Sequence, residues 1–500
     1  MAATTDDADG DHEPWATPGN LSPEVHETHT GMVVLVGARA YKAKKSVTTD
    51  FLDFSTVARR EQACAREVDL NRRLAPDSYL GIGHFDLPGA AAEPVIVMRR
   101  HPDAARLAAL VRSGVSVDTE LSAIAGMLAR FHRTALRGPA IDAEATVAAL
   151  TERWQENLTE LARHTGDVVS DAVLAEVTRL AIGYIRGRGP LYTSRIAERR
   201  VVDGHGDLLA QDIFCLPGGP ALLDCLEFDD RLRYVDGVDD AAFLAMDLEY
   251  LGRGDLGEWF LDEYIRQAGD PAPRSLRDLC VAYRAVVRAK VDCVRVTQGH
   301  REAVTDARRH LDIALAHLRS AAVPLVIVGG GPGSGKTTVS RGLAPRIHAQ
   351  VVSTDDVRRE LRASGVISGQ PGDLNAGLYT RENMAAVYDE VLRRAGELLG
   401  AGVPVIVDGT WRDPRQRERA RALAAENSSP TVEFACTLPI SEAVHRISTR
   451  TATTSDATAG IAAALDDDMA HSWPEAVPVD TSTSVEDAVT AMVRQCRPAG

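Results

Sequence analysis

Apolar positions along the chain change their spacing several times, and each change predicts a different element. Met32–Val36 is a run of mostly β-branched residues, and a second extended segment from about Ala40 to Val47 completes a hairpin. Ser55 to Leu74 then shows helical spacing with many charges, and Pro94–Arg99 (PVIVMR) reads as a buried strand. From Leu107 to Arg137, and again from about Ala145 to Arg186, Leu, Ile, Val and Ala recur at three and four residues, the period of a helix with one apolar face. The stretch His205 to Asp230 interrupts this with short apolar runs around Pro217, Gly218, Gly219 and Pro220, a hairpin-like arrangement. Helical spacing resumes from about Ser275 to Ser320, until Val323 and Pro324 break it. Beyond that point apolar strands at 325–329, 349–353, 403–407 and 432–436 alternate with helical stretches, the pattern of a parallel doubly wound sheet. No internal repeat is evident. The pattern divides the chain into a tail over 1–30, an α+β domain over 31–320 and an α/β domain over 321–500.

Composition adds a few bounds. Five hundred residues exceed what one core holds, in keeping with two domains. Residues 1–30 contain seven Asp or Glu and no Lys or Arg, so this tail is expected to stay mobile and disordered. The formal net charge of −15 argues against broad binding to nucleic acid or anionic membrane. The seven cysteines are dispersed and never spaced C-x-x-C, which suits reduced thiols in a cytoplasm and speaks against a zinc site. No apolar run is long enough to span a bilayer and no charged-then-apolar leader opens the chain, so a cytoplasmic protein is expected.

The most specific chemistry lies in Leu325–Ser340, LVIVGGGPGSGKTTVS. Gly330, Gly335, Lys336 and Thr337 fit G-x-x-x-x-G-K-[ST], a loop whose backbone N–H groups cradle nucleotide phosphates while Lys and a hydroxyl reach phosphate and Mg²⁺. Gly331, Pro332, Gly333, Ser334 and Thr338 complete the expected nucleotide-binding set. The next strand ends in VVSTDDVRREL, which puts Asp355 and Arg358 at the carboxyl edge where ligands of open α/β sheets sit. Asp355 is the candidate base for an acceptor hydroxyl, Asp356 its competitor, and Arg358 the candidate for an anionic substrate group. Asp408, at the end of VPVIVD, reaches the same edge as a candidate Mg²⁺ partner, and Arg446 and Arg450, four apart, are candidates to close over the phosphates.

A second constellation lies upstream. HGDLLAQD supplies His205, Asp207 and Asp212, and Asp224 follows in ALLDCLEF. One carboxylate on a loop and another at a strand end can provide a base and a metal ligand, the two roles phosphoryl transfer requires. This arrangement resembles the aminoglycoside phosphotransferase family, relatives of protein kinases. The resemblance implies that His205 supports the loop, Asp207 is the base, and Asp212 and Asp224 bind Mg²⁺. It also implies an ATP-contacting Lys on an early strand and a Glu on the helix behind it, positions matched by Lys42 and Glu67. Lys44 would share the face of Lys42. The chain departs from the family in having Asp212 where Asn is common, and in lacking a G-x-G-x-x-G loop, which leaves mainly Gly37. Glu227, Asp236 and Asp240 are candidates for a cationic or polyhydroxy acceptor, and Arg284, Arg288 and Lys290 for an anion, with surface charge or structural ion pairs the alternative for all six.

The phosphate loop, the D-x-x-R at 355–358, VIVDGT and the Arg pair resemble small P-loop kinases, the group of gluconate kinase, polynucleotide 5′-kinase and zeta-toxin-like enzymes, over about 325–485. No sensor or arginine-finger module of a mechanical AAA+ motor is evident. The expected fold is thus a protein-kinase-like α+β domain followed by an α/β P-loop NTPase domain. The expected function is ATP- and Mg²⁺-dependent phosphorylation of small-molecule hydroxyls, of the amino sugar, sugar or polyol class, by two modules. The competing expectations are an N-terminal module that senses nucleotide without turnover, and a toxin-like kinase acting on a nucleotide sugar.

Overall fold

The computed structural model describes residues 23–496 apart from 28–30, 49–52, 87–90, 371–375 and 450–472. Two compact units emerge, Met1–Glu144 with Val201–Asp270, and Ala145–Arg200 with Pro271–Gly500.

In the first unit, β1 (Glu24–Glu27), β2 (Gly31–Val36), β3 (Arg39–Lys44), β4 (Tyr79–Phe85) and β5 (Glu93–Arg99) form a sheet in the order β1-β2-β3-β5-β4. All its pairings are antiparallel. β1 corrects the expectation of a mobile tail at 24–27, because Glu24–Glu27 pairs with Met32–Leu35 although all four side chains are exposed. Backbone hydrogen bonding to β2, not burial, holds this edge strand. The rest of the acidic tail, 1–22 and 28–30, lies outside the described residues. Helix Val57–Asn71 starts where Thr56 accepts the Arg59 N–H, and packs Cys64 and Val68 against Ala40, Ile96 and Met98. Farther on, β6 (Val201–Asp203) pairs with β9 (Tyr234–Asp236), while β7 (Ile213–Leu216) and β8 (Gly219–Leu222) form the hairpin expected around Pro217. Helix Gly237–Tyr250, capped by Asp236, runs through the core, with Phe243, Leu244 and Met246 fully covered.

In the second unit, β10 (Leu325–Gly329), β11 (Gln350–Ser353), β12 (Val405–Asp408), β13 (Thr431–Thr437) and β14 (Val477–Asp480) make a parallel sheet in the order β11-β12-β10-β13-β14. Every residue of β10 is buried, which is why its sequence is continuously apolar with no alternation. Helices Lys336–Arg346 and Val485–Cys496 share a core with it through Val339, Leu343, Val489 and Met492, set against Val326, Val328, Ile406 and Phe434. The strand β14 (VPVD) was not anticipated, since only Val479 of its four residues is buried. The helical stretch expected over 275–320 is two helices, Arg274–Thr297 and Ala303–Ser320, parted at Gly299, which has φ 98°. Val328 and Ser353 both lie in register with Asp408, so the strand ends that lead to the phosphate loop, Asp355 and Asp408 share one edge of the sheet.

Candidate active sites

In the first unit the alternation of β3 turns Lys42 and Lys44 to the same face, where both meet Glu67 of the helix behind. Lys42 Nζ lies 2.8 Å from Glu67 and 2.7 Å from Asp224, and Lys44 Nζ 2.6 Å from the other Glu67 oxygen. Burial works against the charge of Lys42, yet Asp224 and Glu67 outweigh it and hold the ammonium well above the usual lysine range. Asp224, in turn, is held below the usual carboxylate range by Lys42 despite its burial. Asp224 also keeps a left-handed backbone, φ 64°, that non-glycine residues adopt only when their surroundings impose it. Its N–H donates to Tyr79 Oη at 3.3 Å, and the next N–H, of Cys225, to Asn71 Oδ1 at 2.8 Å.

Asp207 and Asp212 share the electrostatic environment of Asp224. Burial first, then the charges of Asp224 and Asp207, push the Asp212 carboxyl up to about 7. Asp212 and Asp224, whose charges act on one another, are the pair of carboxylates here that could each lend an oxygen to a divalent cation completed by other ligands. The loop that carries Asp207 is fixed from beneath. The His205 and Gly206 N–H groups donate to the two oxygens of Asp240 at 2.7 and 2.8 Å, and the Ala210 N–H to Asp247 at 2.8 Å. A Cβ at Gly204 would stand 2.6 Å from Asp240 Oδ2, so only glycine lets the loop settle this close. Burial lowers the pKa of His205; its Nε2–H donates to the Leu223 carbonyl at 3.1 Å and its Nδ1 faces the Asp207 N–H at 3.4 Å.

These contacts give the three expected acceptor residues structural partners. Asp240 is fully buried and bonded to the loop backbone and to His132 Nε2 at 2.9 Å, so it is a support of the loop, not a contact for an acceptor. Glu227 pairs with Lys44 on the Lys42 side of the site. Asp236 caps a helix by accepting the Val238 N–H at 2.9 Å. Arg284, Arg288 and Lys290 lie on helix Arg274–Thr297 of the other unit, with Arg284 buried. Gly37 forms the turn between β2 and β3 with open space beside it.

In the second unit the phosphate loop joins β10 to helix Lys336–Arg346 and is clasped from outside. Gly333 has φ 82°, and a Cβ there would lie 2.7 Å from the Ala443 carbonyl. Thr481 Oγ1 donates to the Ser334 carbonyl at 2.7 Å, while Arg446 Nη2 donates to the Thr481 carbonyl at 2.9 Å. A Cβ on Gly335 would stand 3.4 Å from Arg446 Nη1, which puts that guanidinium against the loop. Arg450 lies outside the described residues. Lys336 Nζ reaches back to 3.5 Å from the Gly331 carbonyl.

Thr337 Oγ1 donates to Asp408 Oδ2 at 2.7 Å, and Asp408 Oδ1 is buried with no hydrogen-bond partner. Burial raises the pKa of Asp408, against the opposing pull of Lys336 and Thr337. A buried, half-satisfied carboxylate beside a threonine hydroxyl and a lysine fits a Mg²⁺–phosphate group. Asp355 accepts from Arg358 Nη1 at 2.6 Å, and the Arg358 guanidinium stacks on Tyr379 at 4.8 Å from the ring centroid. Asp356 pairs instead with Arg359 on the exposed side of the helix.

Sequence reasoning missed several members of these sites. Asp247 was legible in principle, since seven residues after Asp240 returns to the same helix face. Tyr79, Asn71 and Thr481 had no local pattern to mark them.

The fold defines the class: one chain carrying a protein-kinase-like module and a P-loop module of the kinase type. A family model described as an AAA domain matches residues 325–472. The chain is 55% identical over 467 residues to the uncharacterized protein Rv2004c of Mycobacterium tuberculosis, covering 93% of this chain and 94% of the relative, and it belongs to the same family as that protein. The P-loop module is similar to the shikimate kinase of Corynebacterium diphtheriae, at 32% identity over 122 residues, 22% of this chain and 68% of the relative. Among solved structures, the GDP complex of wild-type aminoglycoside 2′-phosphotransferase-IIIa aligns at a TM-score of 0.39 and 15% identity, covering 60% of this chain and 95% of that one. No helix among the described residues is long and apolar enough to cross a membrane.

Proposed function

We propose that the chain is a two-module, ATP- and Mg²⁺-dependent kinase, each module phosphorylating a hydroxyl of a small molecule. The observation that carries this reading is that each unit gathers a lysine and a buried carboxylate into a cluster suited to phosphate and metal, Lys42 with Glu67 and Asp224 in one and Lys336 with Thr337 and Asp408 in the other. Among the described residues no group of three or more His, Cys, Asp or Glu side chains is arranged to hold a metal by itself. Bound Mg²⁺ would therefore complete its shell with phosphate oxygens and water while neutralising phosphate charge, held through Asp212 and Asp224 in one module and through Thr337 and Asp408 in the other.

In the first module Lys42 binds phosphate oxygens and Asp207 orients the acceptor hydroxyl and takes its proton. In the second, the loop from Gly330 to Thr338 wraps the phosphates, Arg446 adds positive charge, and Asp355 accepts the hydroxyl proton. Arg358, buried and stacked, favours an acceptor with an anionic group there. The name of the Corynebacterium relative points the same way, since shikimate carries both hydroxyls and a carboxylate. The test is ADP release with Mg²⁺ over amino sugars, aminoglycosides, polyols, sugar acids and 5′-hydroxyl nucleosides, in the parent, Asp207→Ala and Lys336→Ala. Loss of different acceptors in the two variants is the expected result. If only Lys336→Ala has an effect, the first module does not transfer phosphate and the reading of Asp207 fails.

A further inference from the structure

The amino-terminal edge of the parallel sheet, opposite the phosphate loop, borders a cavity of about 560 Å³. Its wall is built by the turns that enter β10, β11 and β12, by the start of helix Arg274–Thr297 and by the end of helix Ala303–Ser320. Arg274, Arg319, Arg346 and His348 line it, and among the described residues on its wall none is acidic. The chain as a whole is acidic, with a net charge of −15, so a wall that presents three guanidinium groups and no carboxylate is a local concentration of N–H donors, two of the groups paired with carboxylates behind the wall. The volume lies within the range of about 300–1,000 Å³ typical of small-molecule pockets.

Two of the guanidinium groups are held in position by carboxylates. Arg319 Nε and Nη2 each lie 3.1 Å from Glu176, and Arg346 Nη1 lies 2.8 Å from Glu486. Each guanidinium has five N–H donors, so these pairs orient the group without exhausting it. His348 has φ 53°, a conformation that non-glycine residues rarely keep unless the surroundings impose it. Pro324, Pro404 and Ile347 supply apolar wall that would suit a short carbon skeleton.

Three elements run from this cavity to the phosphate site. Helix Lys336–Arg346 has Lys336 at one end and Arg346 at the other, ~16 Å along its axis. β10 leads from Pro324 to Gly329, and β12 from Pro404 to Asp408. Arg346 and Pro404 on the cavity wall thus sit at the far ends of the elements that carry Lys336 and Asp408, the connection through which occupancy of the cavity would reach the phosphate loop.

We infer that this cavity binds a small phosphorylated metabolite with two or more negative charges, and that its occupancy changes nucleotide affinity at the phosphate loop. The test uses the full chain with Mg²⁺ and a saturating non-hydrolysable ATP analogue, so that nucleotide sites are filled, and titrates fructose 1,6-bisphosphate by calorimetry, with citrate as a polycarboxylate comparison. Saturable bisphosphate binding is expected, weakened about tenfold or more by Arg319→Gln and by Arg346→Gln, partly restored by Arg346→Lys, and retained in Lys336→Ala. By reciprocity, saturating bisphosphate should shift the affinity of the phosphate-loop site for the ATP analogue about fivefold or more in the parent and not in Arg346→Gln. Absence of bisphosphate binding, binding indifferent to both arginines, or binding lost in Lys336→Ala would each overturn the site. Equal binding of citrate would overturn the phosphate assignment, and unchanged nucleotide affinity the coupling. His348→Gly, which relieves the left-handed strain and keeps the fold, is expected to leave binding within a few fold if the arginines carry it; a loss as large as that of the arginine variants would overturn that assignment.

Discussion

Asp240 accepts the backbone N–H of His205 at 2.7 Å from inside the core of the first unit. The same carboxylate takes the Gly206 N–H and His132 Nε2, and Asp247, two helical turns on, takes the Ala210 N–H. One helix face thus sets the shape of the loop that presents Asp207. Replacing Asp240 by Asn puts an NH₂ where an acceptor is needed and leaves buried donors unpaired. Asp240→Asn is expected to cost about 3 kcal/mol or more in urea unfolding and, if Asp207 is the base of the first module, to abolish that module's acceptor-stimulated ADP release. Asp247→Asn, which disturbs one backbone bond, should cost less. Equal stability of Asp240→Asn and the parent would contradict the anchoring role.

What was legible in the sequence follows from whether a feature is local. The phosphate loop could be read because its glycines, Lys336 and Thr337 are adjacent in the chain and each answers a steric or charge requirement of one ligand. The shared face of Lys42 and Lys44 followed from strand periodicity alone, and the structure gives both a pairing with Glu67. Asp240 was misread because a carboxylate facing an acceptor and a carboxylate buried against backbone N–H groups look identical in one dimension. β1 and β14 were invisible because pairing with a neighbouring strand, not side-chain burial, holds most of their residues in place. Trp473 gave no signal either, yet it is fully buried, and its ring leaves no room for a Cβ on Gly329.

The two lysines of β3 should separate by experiment. The Lys44 side chain is 3% exposed and lies between Glu67 and Glu227, whereas Lys42 is 19% exposed and reaches Asp224. Lys44→Met strips a buried pair of its cation and is expected to cost about 3 kcal/mol or more. Lys42→Met leaves Lys44 to neutralise Glu67, so it should keep most of the stability and lose turnover in the first module. Melting curves and ADP release on both variants check this; a larger stability loss in Lys42→Met would reverse the assignment.

Part of the acid sensitivity of the second unit should be traceable to Glu433. Burial alone would raise the Glu433 carboxyl, but hydrogen bonds from Arg421 at 2.6 and 2.8 Å and from Trp473 Nε1 at 2.5 Å outweigh it and hold its pKa below 4.5. A depressed carboxylate stabilises the fold above its unfolded value and loses that contribution as pH falls through its native value. Glu433→Gln is therefore expected to be less stable than the parent by about 1–3 kcal/mol at pH 7, with the gap closing below about pH 4.5. Urea unfolding of both proteins between pH 7 and pH 3 measures the gap; a gap constant over that range would mean that the ionised form carries none of it.

Asp355 and Asp356 are neighbours in sequence but not in chemistry. Both act on the charge of Asp408, but Asp355 faces Arg358, whose guanidinium is buried and stacked on Tyr379. Asp356 pairs with Arg359, which is exposed, an arrangement worth at most about 1 kcal/mol. If Asp355 receives the acceptor proton, Asp355→Asn should lower kcat of the second module by about 10²-fold or more with nucleotide affinity unchanged, because an amide cannot take a proton. Asp356→Asn should stay within about twofold of the parent. If Arg358 holds the acceptor's anionic group, Arg358→Ala should instead raise KM for the acceptor and spare KM for ATP. Equal effects of Asp355→Asn and Asp356→Asn would mean that the base lies elsewhere on this edge of the sheet.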